Sequence, residues 1–196
     1  MGVKVIGITG SIGSGKSTVS RHLKNMGFEI IDCDHISHEM LMPKRRGYNE
    51  VVTEFGSEIL DEAGYIVRKK LGSIVFSDLE KRNKLNSILH PIIKDEVKNG
   101  ILNCRDSFIF IDCPLLFETD FYKLCDYTVC VYVDMDSQIR RIMYRDNITF
   151  PEAINKINAQ MPLKEKVEKA DFVIDNCHSE GDIDWQLHQL LKKLKD

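Results

Sequence analysis

Five short runs along the chain are almost unbroken in apolar residues, and each is bounded by glycine, proline or charge. They cover 3–8, 28–34, 107–114, 127–134 and 171–176. β-Branched and aromatic residues dominate them, without polar alternation, which is how strands covered on both faces read. Between them the spacing changes to that of helices. Val19, Leu23 and Met26 predict a helix over 18–26 that stops at Gly27, a natural residue past a helix end. Ile183, Leu187, Leu190, Leu191 and Leu194 form one apolar face near the C-terminus. Lys192, Lys193 and Lys195 suit the negative end of that helix. It is expected to dock on the sheet, with Trp185 packed. Strands alternating with helices predict an α/β class with a five-stranded, mainly parallel sheet. Ligands of such sheets sit beyond the carboxyl ends of the strands. Asp32, Asp34, Asp112 and Asp134 all fall at those ends.

The second and third strands are joined by a long stretch with helical patterns. Asp78 is placed to cap a helix whose apolar side holds Leu79, Leu85, Ile88 and Leu89. The His90-Pro91 step is expected to end it and open another. A crossover this long exceeds what a parallel connection needs, so it reads as a substrate-holding insertion. After the fourth strand, a short helix over 137–145 carries Arg140, Arg141 and Arg145, the last two sharing a face. Thr149-Phe150-Pro151-Glu152 has the form of a capping box opening a helix over about 150–160. The two helices read as a mobile flap, polar on most sides. The expected organisation is one domain, 1–196. Its core is made of 1–34, 101–136 and 166–196, the helical insertion is 35–100 and the lid is 137–165.

Composition narrows the function classes. A formal net charge of -3 gives no global basic surface for nucleic acid or an anionic membrane. No apolar run approaches the ~18 residues of a membrane span. The first strand starts so early that no signal peptide is expected, and a cytoplasmic location follows. The six cysteines are scattered without a C-x-x-C pair, which favours reduced thiols over a metal site. Oligomeric state leaves no mark in the pattern.

The chemistry starts at Gly10-Ser11-Ile12-Gly13-Ser14-Gly15-Lys16-Ser17, which fits G-x-x-x-x-G-K-[ST] between a strand and a helix. Glycines allow the backbone to wrap an anion, and the helix N-terminus faces it. Gly13, Ser14, Gly15, Lys16, Ser17 and Thr18 are the expected ATP loop. Lys16 is assigned to the β- and γ-phosphates and Ser17 to Mg²⁺. Guanine readout is argued against, because Asn83-Lys84-Leu85-Asn86 and Asn155-Lys156-Ile157-Asn158 end in asparagine rather than aspartate. A small-molecule kinase of the P-loop NTPase type fits best: a three-layer fold with a helical insertion and a small helical lid. Asp112 is a candidate Mg²⁺ ligand through water, with a plain strand-end aspartate as the alternative. Arg141 and Arg145 are candidate clamps on the transferring phosphoryl. Asp32 and Asp34 alternate on a strand, and Asp34 is preferred as the group accepting the acceptor's hydroxyl proton. A helix cap is its other reading.

Several stretches resemble the dephospho-coenzyme A kinases. They are Gly7–Val19, Ile31–Asp34, Phe55-Gly56, Gly64–Leu71, Val75-Phe76, Ile88–Pro91, Pro114–Glu118, Gln138, Arg141, Arg145-Asp146, Gln160 and Ala170–Asn176, in family order. Ser11 and Cys33 stand where that family usually has glycine and a small residue. The resemblance implies transfer from ATP, with Mg²⁺, to the ribose 3′-hydroxyl of dephospho-coenzyme A. It implies Asp34 as the proposed base, and Arg68, His90 and Leu115 in the acceptor-binding region. It also implies Asn176 in a segment near the adenine. The alternatives are a kinase for another small hydroxyl or nucleotide acceptor, and a regulator that uses ATP only as a switch. Lys16→Ala is expected to abolish phosphoryl transfer through loss of the charge on the β/γ-phosphates. Near-normal turnover by that variant in an ADP-release assay would remove Lys16 from the chemistry.

Overall fold

Strand β1 (Lys4–Gly10) is the middle of a five-stranded sheet of order β2-β3-β1-β4-β5. The computed structural model describes residues 2–177 and 180–195, except for the side chains of Phe76, Ser77 and Glu180. The other strands are β2 (Glu29–Asp32), β3 (Phe108–Asp112), β4 (Tyr127–Tyr132) and β5 (Phe172–Asp175). β1 pairs in parallel with β3 and with β4, and β4 in parallel with β5. All five apolar runs are strands, but two end sooner than the pattern suggested. Asp34 lies in the first turn of α2 (Cys33–Met40), and Asp134 caps α6 (Met135–Asp146). Each strand stops where an aspartate accepts a backbone N–H from three residues on: His35 for Asp32 and Ser137 for Asp134.

The chain divides into two compact units, Met1–Ile31 with Asn103–Asp196, and Asp32–Leu102. In the first, the two-residue period of the strands turns Ile6, Ile8, Phe108, Phe110, Val129 and Val131 to one face. That face is covered by Val19 and Leu23 of α1 (Lys16–Asn25) and by Ile183 and Leu187 of α9 (Glu180–Lys195). Phe28 sets its ring edge-on to Phe108 and Phe110, with centroids 6.3 and 5.4 Å away. On the opposite face the backbone of β1 is approached closely. A Cβ on Gly7 would lie 2.7 Å from Cys125 Sγ and 2.8 Å from Leu116. α8 (Leu163–Lys169), too short and polar to be foreseen, packs on β1 and β4 there. Trp185 does not pack as expected: it points outward from α9 and is 66% exposed.

The second unit holds α2, α3 (Arg46–Phe55), α4 (Arg68–Ser77) and most of α5 (Leu79–Asn103). Asp78 caps α5, accepting the N–H groups of Glu80 and Lys81 at 2.9 and 3.1 Å. The expected break at His90-Pro91 does not occur, and α5 runs straight through Pro91. An interior proline costs about 3 kcal/mol or more. Leu89, Ile92, Ile93 and Val97, on both sides of it, are buried. At about 1.5–3 kcal/mol each, their burial outweighs that penalty.

α6 and α7 (Phe150–Asn158) pair through their own small apolar cluster of Ile139, Ile142, Ala153 and Ile157. The pair is therefore amphipathic rather than polar on most sides. The capping box of α7 is formed, with Glu152 accepting from the Thr149 N–H and hydroxyl. Leu187→Ala is expected to lower stability by about 2–5 kcal/mol, because this fully buried leucine fills the layer between α9 and the sheet. Urea unfolding reads the change. A loss under about 1 kcal/mol would mean that the helix is not part of the core.

Candidate active site

The loop between β1 and α1 takes the shape its glycines permit. Gly13 and Gly15 have φ of 77° and 87°, the left-handed region that other residues avoid. Neither has room for a side chain. A Cβ on Gly15 would run into the Asn176 amide, and one on Gly13 would lie 2.7 Å from Ile142. The loop ends in α1, so the first N–H groups of that helix sit where an anion gains from the helix dipole. Ser17, on the first turn, is exposed, and Thr18 beside it is half-buried.

Lys16 does not hang free in solution. Its ammonium pairs with the Asp112 carboxylate at the end of β3, which is 4% exposed. The Ser20 hydroxyl donates to the other oxygen of Asp112 at 2.5 Å. A buried carboxylate needs such partners, since an unpaired one would cost several kcal/mol. Asp112 is thus more than a strand-end residue: it holds the loop lysine through α1. The hard oxygen donors of Asp112 and Ser17 also suit Mg²⁺ by type.

Arg141 and Arg145 part company. Arg141 donates to the Asn176 carbonyl at 2.9 Å, which places it beside the loop. Arg145 turns to Asp146, with two hydrogen bonds of 2.7 and 3.1 Å, and Lys156 joins the same carboxylate at 2.6 Å. Those two cations hold the Asp146 carboxyl well below the ordinary carboxylate range. Asn176, expected near a base, spends its side chain on the loop and donates to the Ser14 carbonyl at 2.8 Å.

In the second unit, Asp34 and Arg68 line one cleft of about 360 Å³ with Ser37, His38, Leu71 and Leu89. Asp34 is exposed and lies on a helix, so it does not share a strand face with Asp32. The cap role belongs to Asp32, which accepts the His35 N–H at 2.9 Å. His90 follows Leu89 on α5, and burial pushes its imidazole below the ordinary value. His38 is lowered too, by burial first and then by the Arg68 charge. Leu115 is in the first unit, in the turn after β3, where its carbonyl accepts from Thr119.

Three partners escaped the sequence reading. Lys166, fully buried on α8, donates to the Pro114 carbonyl at 2.6 Å and pairs with Glu118 at 2.9 Å. Gln138 and Gln160 bond the backbone of Ile12. The glutamines were visible as motif positions, but nothing in their spacing named a partner. A lysine in a lysine-rich helix gives no signal at all. No disulfide joins cysteines among the described residues, and burial pushes Cys125 and Cys130 up to about 12.

A family model for dephospho-CoA kinase matches residues 4–182. The chain is 44% identical to the dephospho-CoA kinase of Oceanobacillus iheyensis over 196 residues, 96% of each chain. Among solved structures it is similar to a Thermus thermophilus protein, with TM-score 0.86, 29% identity and 99% of each chain covered. It is also similar to the dephospho-CoA kinase from Campylobacter jejuni, with TM-score 0.71, 29% identity and 97% and 96% covered.

A histidine lowered on folding binds fewer protons in the native state than in the unfolded chain. The stability that His38 and His90 protect is whole above pH about 6.5 and fades as pH falls below it. The urea midpoint of the native chain is expected to drop more between pH 7.5 and 5.5 than that of the double variant His38→Asn/His90→Asn. Parallel curves for the two proteins would remove both histidines from the acid response.

Proposed function

The chain belongs to the dephospho-CoA kinase family, and on that premise we propose which of its residues carry the transfer. The reaction moves the terminal phosphoryl of ATP to the ribose 3′-hydroxyl of dephospho-CoA, giving ADP and CoA, the last step of coenzyme A biosynthesis. One observation carries this reading. The match spans the loop and the whole Asp32–Leu102 unit alike, whereas the loop alone is common to many nucleotide enzymes.

In this reading, residues 13–18 cradle the phosphates with backbone N–H groups, and Lys16 exchanges Asp112 for the β/γ-phosphates as ATP enters. A compact, rotatable ammonium suits that move, and the carboxylate it leaves is then available to a cation. Mg²⁺, held by Ser17 and by Asp112 through water, would neutralise charge on the phosphates. Arg141, tethered beside the loop by the Asn176 carbonyl, reaches the transferring phosphoryl. Arg145 must give up Asp146 before it can contribute there, so the first role is assigned to Arg141. Asn176 serves the nucleotide by shaping the loop.

The cleft around Asp34 and Arg68 takes the acceptor, with His90 of the same unit as a further acceptor-binding residue; Leu115, in the first unit, is assigned to acceptor binding on the family resemblance alone. Its mixture of one carboxylate, one guanidinium and leucine side chains fits a charged nucleotide with an apolar flank. Asp34 accepts or orients the ribose hydroxyl. The α6–α7 pair acts as a lid that keeps water from the phosphoryl group. Substrates are small molecules rather than nucleic acid, in keeping with a net charge of -3. The work is assigned to the cytoplasm. No helix among the described residues is long and apolar enough to cross a membrane, and no disulfide joins cysteines among them.

ADP release is expected to depend on dephospho-CoA and to stay near background with AMP or other small alcohols. A preference for another acceptor would overturn the assignment. Asp34→Asn is expected to lower kcat by roughly 10²–10⁴ with a smaller change in acceptor KM. A KM effect alone would make Asp34 a binding residue.

A further inference from the structure

Ile12, the middle of the phosphate loop, is held at its N–H, its carbonyl and its side chain by the segment that follows β4. Its N–H donates to Gln160 Oε1 at 2.8 Å, and the neighbouring Ser11 hydroxyl donates to the same oxygen at 3.1 Å. Its carbonyl accepts from Gln138 Nε2 at 2.7 Å. Its side chain packs on the cluster of Ile139, Ile142, Ala153 and Ile157 that joins α6 to α7. Gln138 lies on α6 and is 2% exposed, while Gln160 lies in the link from α7 to α8. The two glutamines therefore bracket the α6–α7 pair in sequence and meet again on one residue of the loop. Gln160 is itself fixed, since the next residue, Met161, donates its N–H to Glu118 at 3.1 Å. Glu118 is in turn held by the buried Lys166.

We infer that Gln138 and Gln160 are positioning residues: together they hold the phosphate loop in its nucleotide-binding shape and tie the α6–α7 pair to the state of that loop. A glycine-rich loop has many conformations to lose when a triphosphate binds. Fixing both backbone polar groups of its central residue beforehand removes much of that cost. The roles are not interchangeable. The position of Gln160 needs an acceptor and that of Gln138 needs a donor, because the groups they face are an N–H and a carbonyl. Coupling runs both ways, so a nucleotide that settles the loop also settles α6 and α7. This deepens the reading of residues 13–18 as the ATP site and does not depend on which acceptor is used.

The test compares Gln138→Glu with Gln160→Glu. Each replaces an amide by a carboxylate beside the same residue; because 138 is buried and 160 only partly so, the uncharged Gln160→Leu serves as the control for the charge. Glutamate at 160 still accepts from the Ile12 N–H, whereas glutamate at 138 faces the Ile12 carbonyl with no donor. Calorimetric titration with Mg²⁺ and a non-hydrolysable ATP analogue, without acceptor, should find Gln138→Glu weaker than Gln160→Glu by about tenfold or more. Gln160→Leu should lose about as much as Gln138→Glu does. Equal affinities for the two glutamate variants, or native affinity in Gln160→Leu, would overturn the inference. Should Gln138→Glu not fold, Gln160→Glu against Gln160→Leu decides in the same way. Hydrogen exchange supplies the coupling readout: the analogue should slow exchange of α7 amides in the native chain and not in Gln160→Leu. Equal slowing in both would sink the tie to α6 and α7. If these patterns hold while dephospho-CoA proves inactive, the acceptor assignment falls and the loop clamp stands.

Discussion

A carboxylate almost shut off from water at the end of β3 organises the nucleotide unit. Asp112 is 4% exposed, and both of its oxygens are met from α1, one by Lys16 and the other by Ser20. Without them the buried charge would be costly enough to unseat the strand end. With them, the first two turns of α1 are fixed against β3, and the loop that leads into α1 has its far end pinned. The near end is β1, in register between β3 and β4. A chain segment held so at both ends has few ways to travel between them, and glycines at positive φ supply the one that is taken.

The same pair fixes where the lysine points. Held by Asp112, the ammonium of Lys16 is already desolvated and aimed toward the strand end. In the proposed reaction an arriving triphosphate would offer it a stronger anion without a long search. The loop around it is held by side-chain amides: Asn176 on the Ser14 carbonyl, and Gln138 and Gln160 on the two sides of Ile12. Three amides from three later parts of the chain hold a segment that has little secondary structure of its own. An amide can supply either a donor or an acceptor without adding charge beside a phosphate site.

Much of this was legible in the residues. The five strands, the glycine loop, the Asp78 cap and the capping box at Thr149 follow from short-range rules, because each depends on residues within a few positions of one another. Errors came where burial or a competing local signal outweighed the one that was read. Pro91 should end a helix, but buried neighbours on both sides carry α5 through it. Asp34 reads as the last residues of a strand, yet Asp32 caps three residues later and the helix starts first. Trp185 reads as core by composition, but its position on α9 turns it outward.

The phosphate loop is written in the chain itself, because backbone geometry there demands particular residues at particular spacings, and the family is written in motifs spread over residues 4–182. The order of strands, the pairing of Lys16 with Asp112, the hydrogen bond from Arg141 to the Asn176 carbonyl and the grip on Ile12 are not. Each joins residues tens of positions apart. Whether a given lysine, arginine or glutamine meets a given partner depends on how strands and helices stack, a property of the packed whole and not of any window of sequence.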